Sequence, residues 1–178
     1  PEVVFCEGKT LPQIQAIVER LALRNPTVLA TRADKKVWLA LKKTRLRSKL
    51  IYYPAARLLL IGKPQPVKGL GTIAVVCAGT ADIPVAEEAA LTAEAMGNRV
   101  QRIYDTGVAG LHRLLAHRAD LYTAHVLIVV AGMEGALASV VGGLVSRPIV
   151  AVPTSIGYGA SFKGVAALLA MMTSCSPN

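Results

Sequence analysis

Aromatic residues are scarce in this 178-residue sequence, at 4%. Its core must therefore be built from Ala, Val, Leu and Ile. Cysteine is scarcer still: Cys6, Cys77 and Cys175 are too few and too scattered for a disulfide framework. A reducing, cytoplasmic setting is the expectation. No apolar run reaches the ~18 residues of a membrane span without Gly, Pro or charge, so no membrane association is expected. No secretory leader is expected either. There is no G-x-G-x-x-G and no P-loop motif, which removes the fingerprints of the usual dinucleotide and nucleoside triphosphate folds. Cysteines and histidines lack zinc-ligand spacing, so no protein-held metal is expected.

What is abundant is aliphatic. Apolar residues reach 53% and mean hydropathy is +0.46, which suffices for a full core and excludes global disorder. Net charge is +9 but unevenly placed. Residues 1–70 carry 14 Lys and Arg against 4 Asp and Glu, whereas residues 71–178 carry 6 against 7. The break follows Gly62-Lys63-Pro64-Gln65-Pro66 and places a domain boundary near Gly69–Gly71. The sequence thus divides into a small basic α/β domain, residues 1–69, and a larger α/β domain, residues 70–178.

In the first domain, Glu2–Phe5 fits a strand, and Thr10-Leu11-Pro12-Gln13 is a capping box opening a helix to about Arg24. Strands are expected over Thr27–Thr31, Lys49–Tyr53 and Leu58–Ile61, with a helix over Ala33–Thr44. The stretch Arg32–Lys49 holds eight Lys and Arg and one acid, with only Trp38, Tyr52 and Tyr53 as aromatics in or beside it. One reading is a nucleic-acid-binding module. The other is a solvated basic face, or one that draws in a dinucleotide.

In the second domain, apolar β-type runs occur at Thr72–Ala78, Arg99–Tyr104, His125–Ala131 and Arg147–Val152, with starts 27, 26 and 22 residues apart. Helical patterns lie between them. Asp82 caps the first, with Pro84 in its opening turn and Gly97 at its end. Apolar faces then run through Val108, Leu111, Leu114 and Leu115; through Met133, Leu137, Val140, Val141, Leu144 and Val145; and through Phe162, Val165, Leu168, Leu169 and Met172. Alternating near-continuous apolar strands and helices predict a three-layer, doubly wound parallel sheet. The pattern stops after a fourth helix, and a fifth strand is expected beyond it.

Ligands of such sheets bind beyond the carboxyl ends of the strands. Those ends are rich in Gly and small polar residues. They read Ala78-Gly79-Thr80-Ala81-Asp82, Asp105-Thr106-Gly107-Val108-Ala109-Gly110, Ala131-Gly132-Met133-Glu134-Gly135 and Pro153-Thr154-Ser155-Ile156-Gly157-Tyr158-Gly159. Backbone amides at such turns suit a phosphate or carboxylate. Without further information Cys175 is a small residue near a helix end, Cys77 a core residue of a strand and Cys6 incidental. Asp82 is a natural cap, and Glu134 sits where a helix N-terminus favours a carboxylate. His112 and Arg113 fit either phosphate binding or a solvated helix face, and Lys163 an exposed position.

These segments resemble one family. Gly79–Ala89, Gly107–Arg113, Val130–Leu137, Pro153–Phe162 and the tail Ser174-Cys175-Ser176-Pro177, with Pro1–Thr10 and Ala56-Arg57-Leu58, are similar to LarB proteins of nickel-pincer-nucleotide cofactor biosynthesis. The C-terminal domain of that family is PurE-like, with a flavodoxin-like sheet. The resemblance implies carboxylation of nicotinic acid adenine dinucleotide (with NAD as an analogue) by CO2, and hydrolysis of its phosphoanhydride. The products are pyridinium-3,5-biscarboxylic acid mononucleotide and AMP. A pyridinium ring is electron-poor, so ring carbon 5 cannot attack CO2. A thiolate added at a neighbouring carbon makes an enamine that can. The family's tail cysteine maps onto Cys175, and Glu134 and Asp82 are the candidates for base and substrate positioning. Substrate contacts are expected from Gly79, Thr80, Ala81, Asp105, Gly107, His112, Arg113, Gly132, Met133, Gly135, Thr154, Ser155, Gly157, Tyr158 and Gly159. No tightly bound cofactor is implied, with Mg2+ a candidate for the hydrolytic step. A homo-oligomer, up to an octamer, is expected, and nucleic acid is not the expected partner.

The sequence departs from the family pattern at Ala81, where Ser is common, at Ala138, where Pro is usual, and at Thr106, where an apolar residue is commoner. The rival activity is that of PurE itself, 5-aminoimidazole ribonucleotide (AIR) carboxylase or mutase. PurE enzymes carry a catalytic His in the stretch corresponding to Ala131–Ala138, and its position falls on Ala136, which cannot relay a proton. Cys175 follows the fourth helix and should lie at the amino edge of the sheet, opposite the Gly-rich turns. It is therefore expected to complete a neighbouring subunit's site, or to fold back.

Overall fold

The computed structural model describes residues 1–176. It divides into two units, one of Pro1–Lys68 with Leu91–Gly97 and one of Gly69–Ala90 with Asn98 onward. Pro177 of the tail motif lies outside the described residues.

The first unit contains β1 (Glu2–Phe5), α1 (Leu11–Ala22), β2 (Thr27–Thr31), α2 (Lys35–Leu41), β3 (Leu50–Tyr53) and β4 (Leu58–Gly62). Its sheet order is β1-β2-β4-β3, with β1 and β2 parallel and the other pairs antiparallel. The capping box opens α1: the Thr10 hydroxyl accepts from the Gln13 amide at 3.5 Å, and the Gln13 side chain accepts from the Thr10 amide at 2.9 Å. Asp34 accepts from the Val37 amide at 3.0 Å, which starts α2 later than the expected Ala33. Both helices bury one face, Ile14, Val18, Val37 and Leu41, against Val28, Ala30, Leu59 and Ile61 of the sheet. Leu41 and Leu59 are fully enclosed, each contributing on the order of 1.5–3 kcal/mol.

The opposite face of that sheet buries Leu29, Leu58 and Leu60 with Ala56, Leu91 and Ala95. Leu91 and Ala95 belong to α3 (Ile83–Ala95), and Leu91–Gly97 fall within the first unit. The two side chains stand four apart on one helix face, so the end of α3 joins the first unit's core.

The second unit continues with β5 (Thr72–Cys77), the start of α3, β6 (Arg99–Ile103), α4 (Leu111–Ala116), α5 (Arg118–Thr123), β7 (Val126–Ala131), α6 (Ala136–Leu144), β8 (Ile149–Pro153) and α7 (Val165–Met172). The sheet order is β6-β5-β7-β8, all parallel. On one face, Ile83, Ala86 and Ala90 of α3 pack on Val75, Cys77 and Val130. On the other, Leu114, Leu121, Leu137, Val141 and Met171 of α4 to α7 pack on Ala74, Val76, Leu127 and Val129. This is the expected doubly wound, three-layer α/β arrangement. Crossovers leave β5 and β7 in opposite directions, and their shared right-handedness puts the helices on opposite faces.

Three helices differ from the periodic reading. The second is a short 3-10 turn, Val108–Gly110, then α4, then a step at His117 (φ −94°, ψ 16°) into α5. With Leu121 as its one buried residue, α5 leaves little periodic signal. The third starts at Ala136, not Met133, because Met133 (φ 52°) and Gly135 (φ 69°) are left-handed. The fourth starts at Val165, because Phe162 (φ 44°) and Lys163 (φ 54°) break it. Its apolar residues Val165, Leu168, Leu169 and Met172 are exposed, and Ala167 and Met171 face inward instead. No helix among the described residues is long and apolar enough to cross a membrane.

Gly62 ends β4 at φ +95°, and an added Cβ would run into the Pro26 carbonyl oxygen. Gly62→Ala is expected to destabilise the first unit by about 1–3 kcal/mol in urea unfolding followed by Trp38 fluorescence. An unchanged midpoint would refute the close approach.

Candidate functional site

Where the winding reverses, the carboxyl ends of β5 and β7 lie side by side and their following turns diverge. A cavity of about 590 Å³ opens there. Turns from all four strands line it: Ala78–Asp82 after β5, Gly107–Ala109 after β6, Gly132–Glu134 after β7 and Ile156–Tyr158 after β8. This is the crevice that a parallel doubly wound sheet reserves for ligands.

The turns are held by backbone bonds and by one buried carboxylate. Thr106 donates its amide to the Cys77 carbonyl at 3.1 Å, and Met133 donates to the Ile156 carbonyl at 2.8 Å. Asp82 is 4% exposed. Its Oδ1 accepts from the Thr154 hydroxyl at 2.6 Å and its Oδ2 from the Gly79 amide at 3.1 Å. The Thr154 hydroxyl in turn accepts from the Ile156 amide at 3.3 Å. Asp82 thus ties the β5 turn to the β8 turn with both oxygens engaged, a charge-assisted pairing of the strong kind. Gly132 sits under this bridge. A Cβ there would meet the Ile156 carbonyl oxygen and come within 2.7 Å of the Thr154 hydroxyl.

Glu134 is the other carboxylate at the cavity. It is exposed and makes no hydrogen bond among the described residues. Left-handed Met133 and Gly135 flank it, and Gly135 must stay small because a Cβ would come within 2.9 Å of the Ala167 carbonyl oxygen. That backbone lifts Glu134 out of α6 and presents it to the cavity. Tyr158, 81% exposed, stands in the β8 turn that lines the cavity.

Of the residues singled out from the sequence, Gly79, Thr80, Ala81, Asp82, Gly107, Gly132, Met133, Glu134, Gly157 and Tyr158 line the cavity. Gly135 and Thr154 do not line it, though Thr154 bonds the lining Asp82, and Ser155 and Gly159 flank the lining stretch in the chain. His112 and Arg113 lie outside the lining, on α4. Arg113 Nε donates to the Asp105 carbonyl oxygen at 2.8 Å, and its Nη2 is 3.7 Å from the Asp105 carboxylate. That ion pair is solvent-exposed and weak, but it folds the guanidinium over Gly110, where a Cβ would meet it at 2.6 Å. Sequence reasoning missed the apolar lining, Ala78, Val108, Ala109, Ala136, Leu137 and Ile156. Their signal was present, since each lies in or beside a Gly-rich turn.

Cys175 does not line the cavity. It is exposed, and its neighbour Ser174 shares a 2.7 Å hydroxyl contact with Ser139 of α6. A Cβ on Gly142 would run into the Ser176 hydroxyl and come within 3.4 Å of Ile149 at the start of β8. The tail therefore runs along α6 toward the amino edge of the sheet. The other two cysteines are buried. Burial, then the Asp82 charge, pushes the Cys77 thiol up to about 12, and burial pushes Cys6 up as well. Both are protonated and unreactive at neutral pH. Among the described residues, no three His, Cys, Asp or Glu side chains gather as a metal site.

Thiol reagents should therefore label Cys175 at once and Cys6 and Cys77 only on unfolding; equal labelling of all three in the native protein would refute this burial. Thr154→Val should cost about 1–3 kcal/mol of stability in urea unfolding, because it strips a partner from a buried carboxylate. A variant as stable as the parent would show that Asp82 does not need the bridge.

The relatives of this chain agree with that architecture. Residues 1–63 match the LarB/PurE-like N-terminal domain, and residues 72–177 match the AIR carboxylase domain. A protein of Methanocaldococcus jannaschii, named "Uncharacterized protein MJ0165", is 40% identical over 183 aligned positions, covering 99% of this chain and 70% of that protein. With both halves matched in that order along one chain, it belongs to the LarB family, and its second unit is an AIR carboxylase domain of PurE-like fold.

Proposed function

We propose that this chain carboxylates the pyridinium ring of nicotinic acid adenine dinucleotide and hydrolyses its phosphoanhydride, releasing pyridinium-3,5-biscarboxylic acid mononucleotide and AMP. The observation that carries this reading is the make-up of the cavity. Its free carboxylate is Glu134, and Ala136 stands where a PurE-type proton relay needs an imidazole. None of His112, His117 and His125 lines it. The turns supply backbone amides and apolar walls, which suit a flat ring with anionic phosphates.

In this reading the Cys175 thiolate adds to a ring carbon next to carbon 5. The resulting enamine forms a carbon–carbon bond to CO2. Glu134 then takes the proton from carbon 5, and the ring electrons expel the thiolate and restore the pyridinium. One hydrogen has been replaced by a carboxylate, with no net oxidation. Water then adds across the phosphoanhydride. Asp82 is a positioning residue, since both its oxygens already hold the turns. Mg2+ would accompany the charged phosphoanhydride.

Cys175 lies away from its own chain's cavity, and α7 exposes Val165, Leu168, Leu169 and Met172. Both observations support a homo-oligomer in which Cys175 reaches the cavity of a neighbouring copy.

Mass spectrometry of products formed with the dinucleotide, bicarbonate and Mg2+ tests the reaction. A dicarboxylated mononucleotide with AMP is expected, lost in Cys175→Ala and slowed about 10²–10⁴-fold in Glu134→Gln. Turnover of aminoimidazole ribonucleotide instead would overturn the reading. Mixing the two variants should restore activity if the site is shared between copies. Failure of re-formed mixed oligomers to recover any activity would place both groups in one chain.

A further inference from the structure

The first unit carries a second groove, which the proposed chemistry does not use. It lies between α2 and β3, encloses about 590 Å³, and is lined by Lys35, Trp38, Lys42, Leu50, Tyr52 and Pro54. Lys35 and Trp38 stand at i and i+3 on one face of α2, and Lys42, its C-cap, follows at i+7. The Trp38 and Tyr52 rings stack with centroids 5.6 Å apart at 19°. The Lys42 ammonium sits 4.3 Å from the Trp38 ring centroid, a cation–π contact that holds a charge against an apolar floor. No carboxylate lines the groove. Asp34, the one acid of the Arg32–Lys49 stretch, is engaged as the cap of α2 through Val37.

Two ammonium groups beside stacked aromatic rings and a proline select a ligand with two parts. A bare phosphate would leave the aromatic and aliphatic walls unused. A purely apolar ligand would desolvate the lysines without pairing them. A flat heterocycle carrying a phosphate satisfies both, as in the aromatic-and-basic platforms that bind nucleotides by stacking and charge. The volume is within the range of small-ligand sites. We propose that this groove is a nucleotide-binding site, taking a base against Tyr52, Leu50 and Pro54 and a phosphate between Lys35 and Lys42. The shared chemistry belongs to a free nucleotide and to one unit of a single strand alike. The inference rests on the first unit alone and is independent of the carboxylation reading.

Trp38 is the only tryptophan of the chain, so the groove carries its own reporter. Drawing Lys42 from the indole toward a phosphate will change the emission. The full chain is titrated with AMP and, separately, with a short single-stranded oligoadenylate, each at low and raised salt, with inorganic phosphate as the reference probe. A saturable emission change that weakens with salt is expected from at least one of the two nucleotide forms. Saturation by AMP identifies a free-nucleotide site, and a response to the oligonucleotide alone identifies a strand site; either upholds the proposal. Lys35→Glu with Lys42→Glu should weaken binding about tenfold or more, with an unchanged circular dichroism spectrum. Both lysines are exposed, and the milder Lys35→Gln with Lys42→Gln carries the same test if charge reversal perturbs the fold. Tyr52→Leu should weaken the nucleotide but not inorganic phosphate. No emission change with either nucleotide, or a change that survives both lysine pairs, overturns the proposal. Occupancy of the second unit's cavity alone would give that result.

Discussion

The candidate site depends on the reversal of winding between β5 and β7. Parallel crossovers share one hand as a rule, so chains leaving two neighbouring strands in opposite directions put α3 on one face and α6 on the other. The strand ends are then left uncovered by helix, and four turns are free to meet. Geometry alone would leave those turns loose. The Thr154 to Asp82 bond closes them by joining the outermost turn to the central one through a buried carboxylate. A buried charge is costly unless its oxygens are paired. The same requirement that stabilises Asp82 therefore fixes the position of Gly79, and the site's rigidity and its electrostatics have one source.

Within that frame the side chains divide the chemistry. Asp82 has both oxygens engaged, whereas Glu134 has none engaged among the described residues. Two carboxylates on adjacent strand ends are in this way given different tasks by their surroundings, one structural and one available to a substrate. The three thiols divide similarly. Burial raises Cys77 and Cys6 out of the reactive range, and Cys175 alone is exposed. The exposed apolar face of α7 lies just ahead of Cys175 in the chain, so in the proposed homo-oligomer one contact would both cover that face and deliver the thiol. The basic first unit has its own logic. Its charge is concentrated on and after α2, where the aromatic pair Trp38 and Tyr52 also stands.

Much of this was legible in the sequence, because the signals are local. Thr10 and Gln13 announced α1 by a reciprocal bond that needs only neighbours in the chain. The strands of the second sheet were readable because both their faces are buried and their apolar runs unbroken. The Gly-rich turns were readable for a different reason: tight backbone turns restrict residue type. The helix starts were less legible. Left-handed Met133, Phe162 and Lys163 are not glycine, so no residue type marked their geometry in the sequence. The break at His117 left no Gly or Pro as a mark.

The sequence by itself determined the elements, their alternation, the two-part charge division and the set of turns from which a site could be made. Periodicity, capping and turn chemistry are properties of residues close in the chain. The tertiary structure alone decided which residues meet. The bridge from Asp82 to Thr154 spans 72 positions, and the packing of Leu91 and Ala95 with the first unit crosses a composition boundary. It also decided that the apolar residues of α7 face outward and that Cys175 lies away from its own cavity. An apolar stripe specifies that a helix must bury a face. What it buries that face against depends on where the other elements already lie.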